Sequence, residues 1–129
     1  MNGSVKEWIG KAEGDFDVAQ LVLRAKLRPN YDAVCFHCQQ CVEKLLKAVL
    51  LHQDTKPPRV HDLVVLSDLV RTLVPAWVPL EKELRFLTQG AILFRYPTES
   101  ATREKAEIAV AICTRLREAL LKLLHEAGE

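Results

Sequence analysis

The stretch YDAVCFHCQQCVEKLLKAVLLH, residues 31–52, decides the fold of this 129-residue chain. It has no interior glycine or proline, and Asp32 is a suitable N-cap for its first turn. At about 100° per residue, a helix over the stretch has one broad apolar face, made of Val34, Cys38, Cys41, Val42, Leu45, Ala48 and Val49. A second stripe is polar and contains His37, Gln40, Lys44 and Lys47, with Gln39 and Glu43 beside it. Such a stripe is either the solvated face of a core helix or one wall of a binding site.

The composition predicts one globular all-α domain over residues 1–129. Apolar residues make up 49% and charged residues 27%, and a chain of this length can bury a core without disulfides or metal. The formal net charge is +1, so an anion site must be built locally from a few converging cations. The first residues lack the apolar core of a signal peptide, and no run approaches the ~20 apolar residues of a membrane span. We therefore expect a cytoplasmic protein with reduced cysteines and no membrane association.

Four more amphipathic segments surround this stretch. The first can be capped by Ser4, and its inward positions are Trp8, Ala12, Phe16, Ala19 and Leu23. The break at 28–30 predicts that the second helix returns antiparallel to the first, and the Pro57-Pro58 pair makes the next connection non-helical.

The remaining three segments are separated by prolines. His61-Asp62 opens a third helix that stops near Pro75, and a fourth helix starts around Pro79 and ends near Gly90. Thr98 or Ser100 caps the last helix, whose apolar stripe is Ala106, Ala109, Val110, Cys113, Leu116, Leu120 and Leu123. The predicted fold is an antiparallel, up-and-down bundle of four to five helices.

The cysteines invite a metal site, because Cys35, Cys38 and Cys41 recur every three residues. Zinc and iron–sulfur sites with this spacing normally use loops whose backbone curls around the ion. On a straight helix neighbouring Cβ atoms of such a series lie about 5–6 Å apart, which is too far for a disulfide. We therefore predict that Cys38 and Cys41 are core residues, and we expect neither a metal nor a cofactor.

Taken together, the sequence resembles the HEPN domains, the "higher eukaryotes and prokaryotes nucleotide-binding" family. The matching pieces are Trp8 with Ala12 and Asp15, then AVCFHCQQCVEKLLKAVL, HDLVVL, and FRYP followed by an alanine-spaced last helix. The second piece is the most specific, since Phe36, Gln39-Gln40, Glu43-Lys44 and Lys47-Ala48 fall at the family's positions. The resemblance implies a helical bundle that usually forms a homodimer. It also implies a frequent partner, a nucleotidyltransferase-like protein, sometimes in a toxin–antitoxin pair.

The chain departs from the family's ribonucleases at one motif. Those members carry an Arg, then four to six residues of any type, and then a His, whereas Arg95 is followed by YPTESATR. The group that would move a proton from the ribose hydroxyl is therefore missing. We expect a non-catalytic nucleotide-binding or partner-docking module, leaning away from an enzyme. The alternatives are a ribonuclease toxin whose acid/base is His37 or His61, and a structural dimer with neither activity.

The expected cleft holds a nucleotide or RNA phosphate. Three cations would converge on this phosphate, namely Lys44, Lys47 and Arg95. Their neighbours would be the ring of Tyr96 and two polar side chains, Gln40 and His61. We also expect the homodimer to use the edge of the second helix's apolar face, because Val34, Cys35, Val42 and Leu46 extend it beyond what one helix could cover.

Overall fold

Five helices make up the part of the chain that the computed structural model describes, which is residues 2–94 and 96–128. They are α1 (Gly3–Arg24), α2 (Tyr31–His52), α3 (Leu63–Leu73), α4 (Glu81–Leu93) and α5 (Arg103–Gly128). No strand occurs in this range. The prediction of an all-α helical bundle is confirmed. Within the described residues, no helix combines the length and the apolarity needed to cross a membrane.

The first two helices are each capped two residues earlier than predicted. Asn2 Oδ1 accepts a hydrogen bond from the backbone N–H of Val5 at 2.8 Å, so Ser4 lies inside the first turn of α1. Asn30 caps α2 in the same way, at 3.1 Å from the nitrogen of Ala33. Because asparagine satisfies free N–H groups at this position as well as serine or aspartate does, the predicted caps Ser4 and Asp32 were both wrong.

Asp32 instead ties two distant segments together. Its Oδ1 accepts a hydrogen bond from the backbone N–H of Ala101, just before α5, at 2.6 Å. The predicted caps of α5, Thr98 and Ser100, were also wrong, since α5 begins at Arg103 and the Thr102 hydroxyl accepts from a backbone N–H of its first turn. Asp62 does cap α3, through a 2.9 Å bond from the N–H of Val64.

Helix α2 is the central element and packs against each of the other four helices. Helix α1 runs antiparallel to it, as predicted: Asp15 contacts Lys44, and Trp8, nearer the start of α1, lies over Lys47. Helix α5 runs in the same direction as α2, since Ala101 meets the start of α2 while Leu124 shares a cavity with Val49 near its end.

The sense of α3 follows from the connection 53–62. This segment returns from the end of α2 to its middle, where His61 contacts Glu43. Helix α3 then runs back toward the end of α2, so that Val74 shares a cavity with Val49. Helix α4 runs the opposite way, since Gly90 near its end lies against Cys35 near the start of α2. Successive helices are therefore antiparallel except for α2 and α3.

The core lies along α2 and between it and its neighbours. All four cysteines are buried in it, as predicted for Cys38 and Cys41. The four residues expected at the edge of a dimer are also fully or almost fully covered within the chain, namely Val34, Cys35, Val42 and Leu46. That part of the dimer expectation was wrong, because α1, α3, α4 and α5 together surround α2.

Candidate functional site

A buried carboxylate lies at the centre of the polar side of α2. Glu43 is 4% exposed and is contacted by four side chains, of which Gln40 is the most distant, with its Nε2 3.4 Å from Glu43 Oε1. Gln39 Nε2 donates to Glu43 Oε1 at 2.9 Å, Lys47 Nζ donates to Oε2 at 3.1 Å, and His61 Nδ1 lies 3.0 Å from Oε2. Because Gln39, Glu43 and Lys47 are spaced four residues apart on one helix, their side chains form a continuous line along it.

These contacts explain why the pKa of Glu43 is lowered. Burial alone would raise the pKa of the carboxyl, but hydrogen bonds from Gln39, His61 and Lys47 outweigh burial and hold the pKa below its ordinary value. Glu43 is therefore a carboxylate at neutral pH, and Lys47, itself buried, is the ammonium that compensates it.

A second carboxylate joins α1 to α2. Asp15 is 8% exposed, with one oxygen 2.8 Å from His37 Nδ1 and the other 2.5 Å from Lys44 Nζ. The polar stripe of α2 is thus covered by two carboxylates, one from α1 and one from α2 itself. The interpretation of this stripe as a solvated face was wrong for Gln39, Glu43 and Lys47, which are buried.

A groove of about 430 Å³ opens beside the Glu43 network. We call it the Gln–His groove, and its lining includes Phe36, Gln39, Gln40, His61, Thr88 and Ile92. The connection before α3 supplies His61, and α4 supplies the last two residues. The side chain of Thr88 holds these elements in register, because its hydroxyl oxygen accepts a hydrogen bond from the backbone N–H of Leu63 at 3.2 Å.

The groove offers a flat apolar surface and several hydrogen-bonding groups. Phe36 is 39% exposed and Ile92 is 52% exposed. The side chain of His61 is 80% exposed, and since its Nδ1 faces Glu43, its Nε2 is available to a ligand. Among the described residues that line this groove, none is a lysine or an arginine. Such a surface suits a planar, polar ring better than a phosphate.

The structure brings together only some of the residues predicted for the site. Gln40 and His61 share the groove, and Gln40 Nε2 donates to Gln39 Oε1 at 2.8 Å. Lys47 lies behind the groove, paired with Glu43, and Lys44 lies on the α1 side, paired with Asp15. Tyr96 is 60% exposed beyond the end of α4. Arg95 lies outside the described residues.

The sequence analysis did not assign to the site the carboxylates of Asp15 and Glu43, nor the α4 residues that line the groove. Asp15 occupies a core position of α1, three residues after Ala12 and four before Ala19, and a charged residue at such a position signals a buried partner. The four-residue series from Gln39 through Glu43 to Lys47 was a second available signal. Nothing in the sequence pattern indicated Thr88 and Ile92, because their place depends on how α4 docks.

The four cysteines are free and buried in the core. Within the described residues, no group of three or more histidine, cysteine or acidic side chains is arranged to hold an ion. Burial raises the pKa of the Cys35 thiol to about 11, and a hydrogen bond with Cys113, together with burial, raises that of Cys41. These groups are thiols at neutral pH and pack as small apolar side chains.

Comparison with known proteins gives one family and two solved structures. A model of the HEPN domain matches residues 5–124. The crystal structure of TT1696 from Thermus thermophilus has a TM-score of 0.78 and 21% identity, covering 94% of this chain and 98% of that one. ST0689, an archaeal HEPN homologue, has a TM-score of 0.67 and 23% identity, covering 93% of this chain and 97% of that one. At these identities the likeness shows the fold alone. No curated protein matches the sequence significantly.

Proposed function

The chain belongs to the HEPN domain family, and on that premise we propose that it is a non-catalytic nucleotide-binding module whose ligand occupies the Gln–His groove. The observation that carries the proposal is the convergence in one groove of an exposed aromatic ring, a side-chain amide, an outward imidazole nitrogen and a hydroxyl. Stacking on an aromatic side chain is favourable for every nucleobase, and the polar groups can bind its edge or the ribose.

The charge distribution favours the base and sugar over the phosphate. The ammoniums of Lys44 and Lys47 are each neutralised by a carboxylate inside the protein. A phosphate in the groove would therefore meet few uncompensated cations from α2. We expect a nucleoside and its monophosphate to bind this groove with similar affinity. A ligand recognised by its phosphate would instead bind much more tightly as the monophosphate.

A thermal-shift panel of nucleosides and nucleotides tests the proposal. A ligand at 100 times its Kd adds about 2.7 kcal/mol of stability, which raises the melting temperature by about 10 °C. Phe36→Ala should weaken binding by about 1–3 kcal/mol, the worth of one base–aromatic stack. Gln40→Ala should weaken it as well, whereas Gln89→Ala, which removes an exposed amide on α4 outside the groove, should not.

Melting of the unliganded variants provides the control. If Phe36→Ala and Gln40→Ala melt as the wild type does but bind the ligand more weakly, the two side chains act on the ligand rather than on the fold. If no nucleoside or nucleotide raises the melting temperature of the wild type, the groove does not bind nucleotides and the proposal fails.

One observation favours a second candidate, a ribonuclease with an atypical acid/base. The Glu43 carboxylate holds Nδ1 of His61 and leaves Nε2 outward, which is how a histidine is oriented to act as a general base. Cleavage of single-stranded RNA by the wild type, lost in His61→Asn, would support this candidate over the first.

The family resemblance supports a place in a toxin–antitoxin-like system. Growth of cells that express the protein distinguishes a ribonuclease toxin from a binding module in such a system. A ribonuclease toxin would arrest growth unless a nucleotidyltransferase-like partner is expressed with it. A nucleotide-binding or partner-docking module should leave growth unchanged when it is expressed alone.

A further inference from the structure

A second cavity, of about 570 Å³, lies away from the Gln–His groove. It is formed where the connection between α1 and α2 meets the start of α5, and Arg24, Lys26, Tyr31 and Arg103 line it. We call it the basic cavity. It shares no lining residue with the Gln–His groove, so a substitution can change the lining of one without changing the lining of the other.

Three cations and one carboxylate set the charge of the basic cavity. Arg103 Nε contacts Glu107 Oε1 at 3.0 Å, so one cation is partly compensated. Arg24 and Lys26 have no carboxylate within ion-pair distance among the residues that the structure describes. Residues 18–31 contain three cations and no acidic side chain, so this segment is positive although the whole chain has a net charge of only +1.

A hydrogen bond joins two of the segments that form the basic cavity. Asp32, the first acidic residue after Lys26 in the sequence, is engaged by the backbone N–H of Ala101 at 2.6 Å. This bond fixes the start of α2 against the segment that leads into α5. Arg103 is the first residue of α5, a helix of 26 residues, and the positive end of the helix dipole adds to the potential at this point.

We propose that the basic cavity binds a small inorganic anion with two or more linked phosphates, such as pyrophosphate. Two guanidiniums and an ammonium around one cavity suit adjacent phosphate groups, because each guanidinium can donate two parallel hydrogen bonds. The volume is in the usual range for a small-molecule site. A nucleic-acid backbone is disfavoured, since it requires an extended positive surface and the protein is almost neutral.

Calorimetric titration of the full chain with pyrophosphate tests the proposal. Arg24→Gln and Lys26→Gln should each weaken binding about tenfold, the effect of losing one charge-assisted hydrogen bond. Glu107→Gln should tighten binding severalfold, because it removes the carboxylate that competes for Arg103. Arg71→Gln, which removes the same charge from the exposed end of α3, is the matched control and should bind as the wild type does.

The outcomes are distinct. Binding of pyrophosphate that is weakened by the two cavity variants and unaffected by Arg71→Gln supports the proposal. Absence of binding at millimolar pyrophosphate, or equal affinity in all variants, overturns it. Binding of single-stranded RNA without binding of pyrophosphate also overturns it, in favour of a nucleic-acid surface. Because pyrophosphate has no base, failure here leaves the nucleoside result at the Gln–His groove unaffected, and the reverse also holds.

Discussion

Glu43 is the residue on which the polar side of α2 depends. It is buried, and it compensates the buried ammonium of Lys47 while it orients the imidazole of His61. A buried ion pair contributes little when both partners are present, but removing one partner leaves an uncompensated charge. Glu43 therefore combines a structural role with the shaping of the groove.

Glu43→Ala should lower the free energy of unfolding by about 3–5 kcal/mol, because Lys47 would remain buried without its partner. Urea denaturation measures this. Glu81→Ala, which removes one partner of an exposed pair with Arg85, should change it by less than about 1 kcal/mol. The double variant Glu43→Ala, Lys47→Met should be more stable than Glu43→Ala alone, and equal stability would contradict this account.

The lowered pKa of Glu43 makes its contribution depend on pH. A carboxyl with a depressed pKa in the folded state contributes fully above its ordinary value of 4.5, and the contribution is lost as pH falls through the folded value. The stability difference between the wild type and Glu43→Gln should therefore be largest near neutral pH and should shrink steadily below about pH 4.5. A difference that stays constant or grows on acidification would rule out this linkage.

At the scale of elements, Asp15 is the main polar link between α1 and α2. Asp15→Ala should lower the free energy of unfolding by about 2–3 kcal/mol, since the half-buried Lys44 and His37 both lose their acceptor. Asp17, two residues along α1 and exposed, is the matched control, and Asp17→Ala should have an effect within about 0.5 kcal/mol. Equal effects of the two variants would show that the link does not stabilise the pairing of the helices.

The helices themselves could be predicted from the sequence more completely than their arrangement. Proline positions and apolar periodicity located all five, and buried residues such as Ala12, Phe16, Leu66 and Leu120 follow from the same patterns. The sequence analysis predicted that α3 runs antiparallel to α2, but the two are parallel, because the connection 53–62 returns to the middle of α2 before α3 begins. The α4 wall of the groove depends on the same long-range packing, through the bond between Leu63 and Thr88.

The candidate site was predictable only in part, for a physical reason. Gln40 and His61 were identified because they are polar and lie in the segments that carry the resemblance. Lys44 and Lys47 were predicted to bind a phosphate, but each forms an ion pair with a carboxylate of the protein. A helical wheel cannot show which element supplies such a carboxylate. A polar stripe predicts that something polar lies opposite it, but not whether that is solvent, a ligand or Asp15.

At the scale of the whole molecule, we propose a homodimer on the strength of the family resemblance. The residues first expected at its interface are covered within one chain, so they cannot form it. Light scattering at micromolar concentration should give twice the 14.6 kDa mass of the chain. A mass near that of a single chain would contradict the proposal.

The Gln–His groove has an aromatic and amide surface, whereas the basic cavity is lined by cations. The central claim is that the first of these binds the base and sugar of a nucleotide. An amide NMR titration of the full chain with ribonucleosides tests it most directly, because it locates the ligand as well as detecting it. The largest shift changes should fall on Phe36, Thr88 and the side-chain amide of Gln40, with little change at Arg24 and Lys26. Saturating nucleoside that leaves the groove resonances unmoved would contradict it.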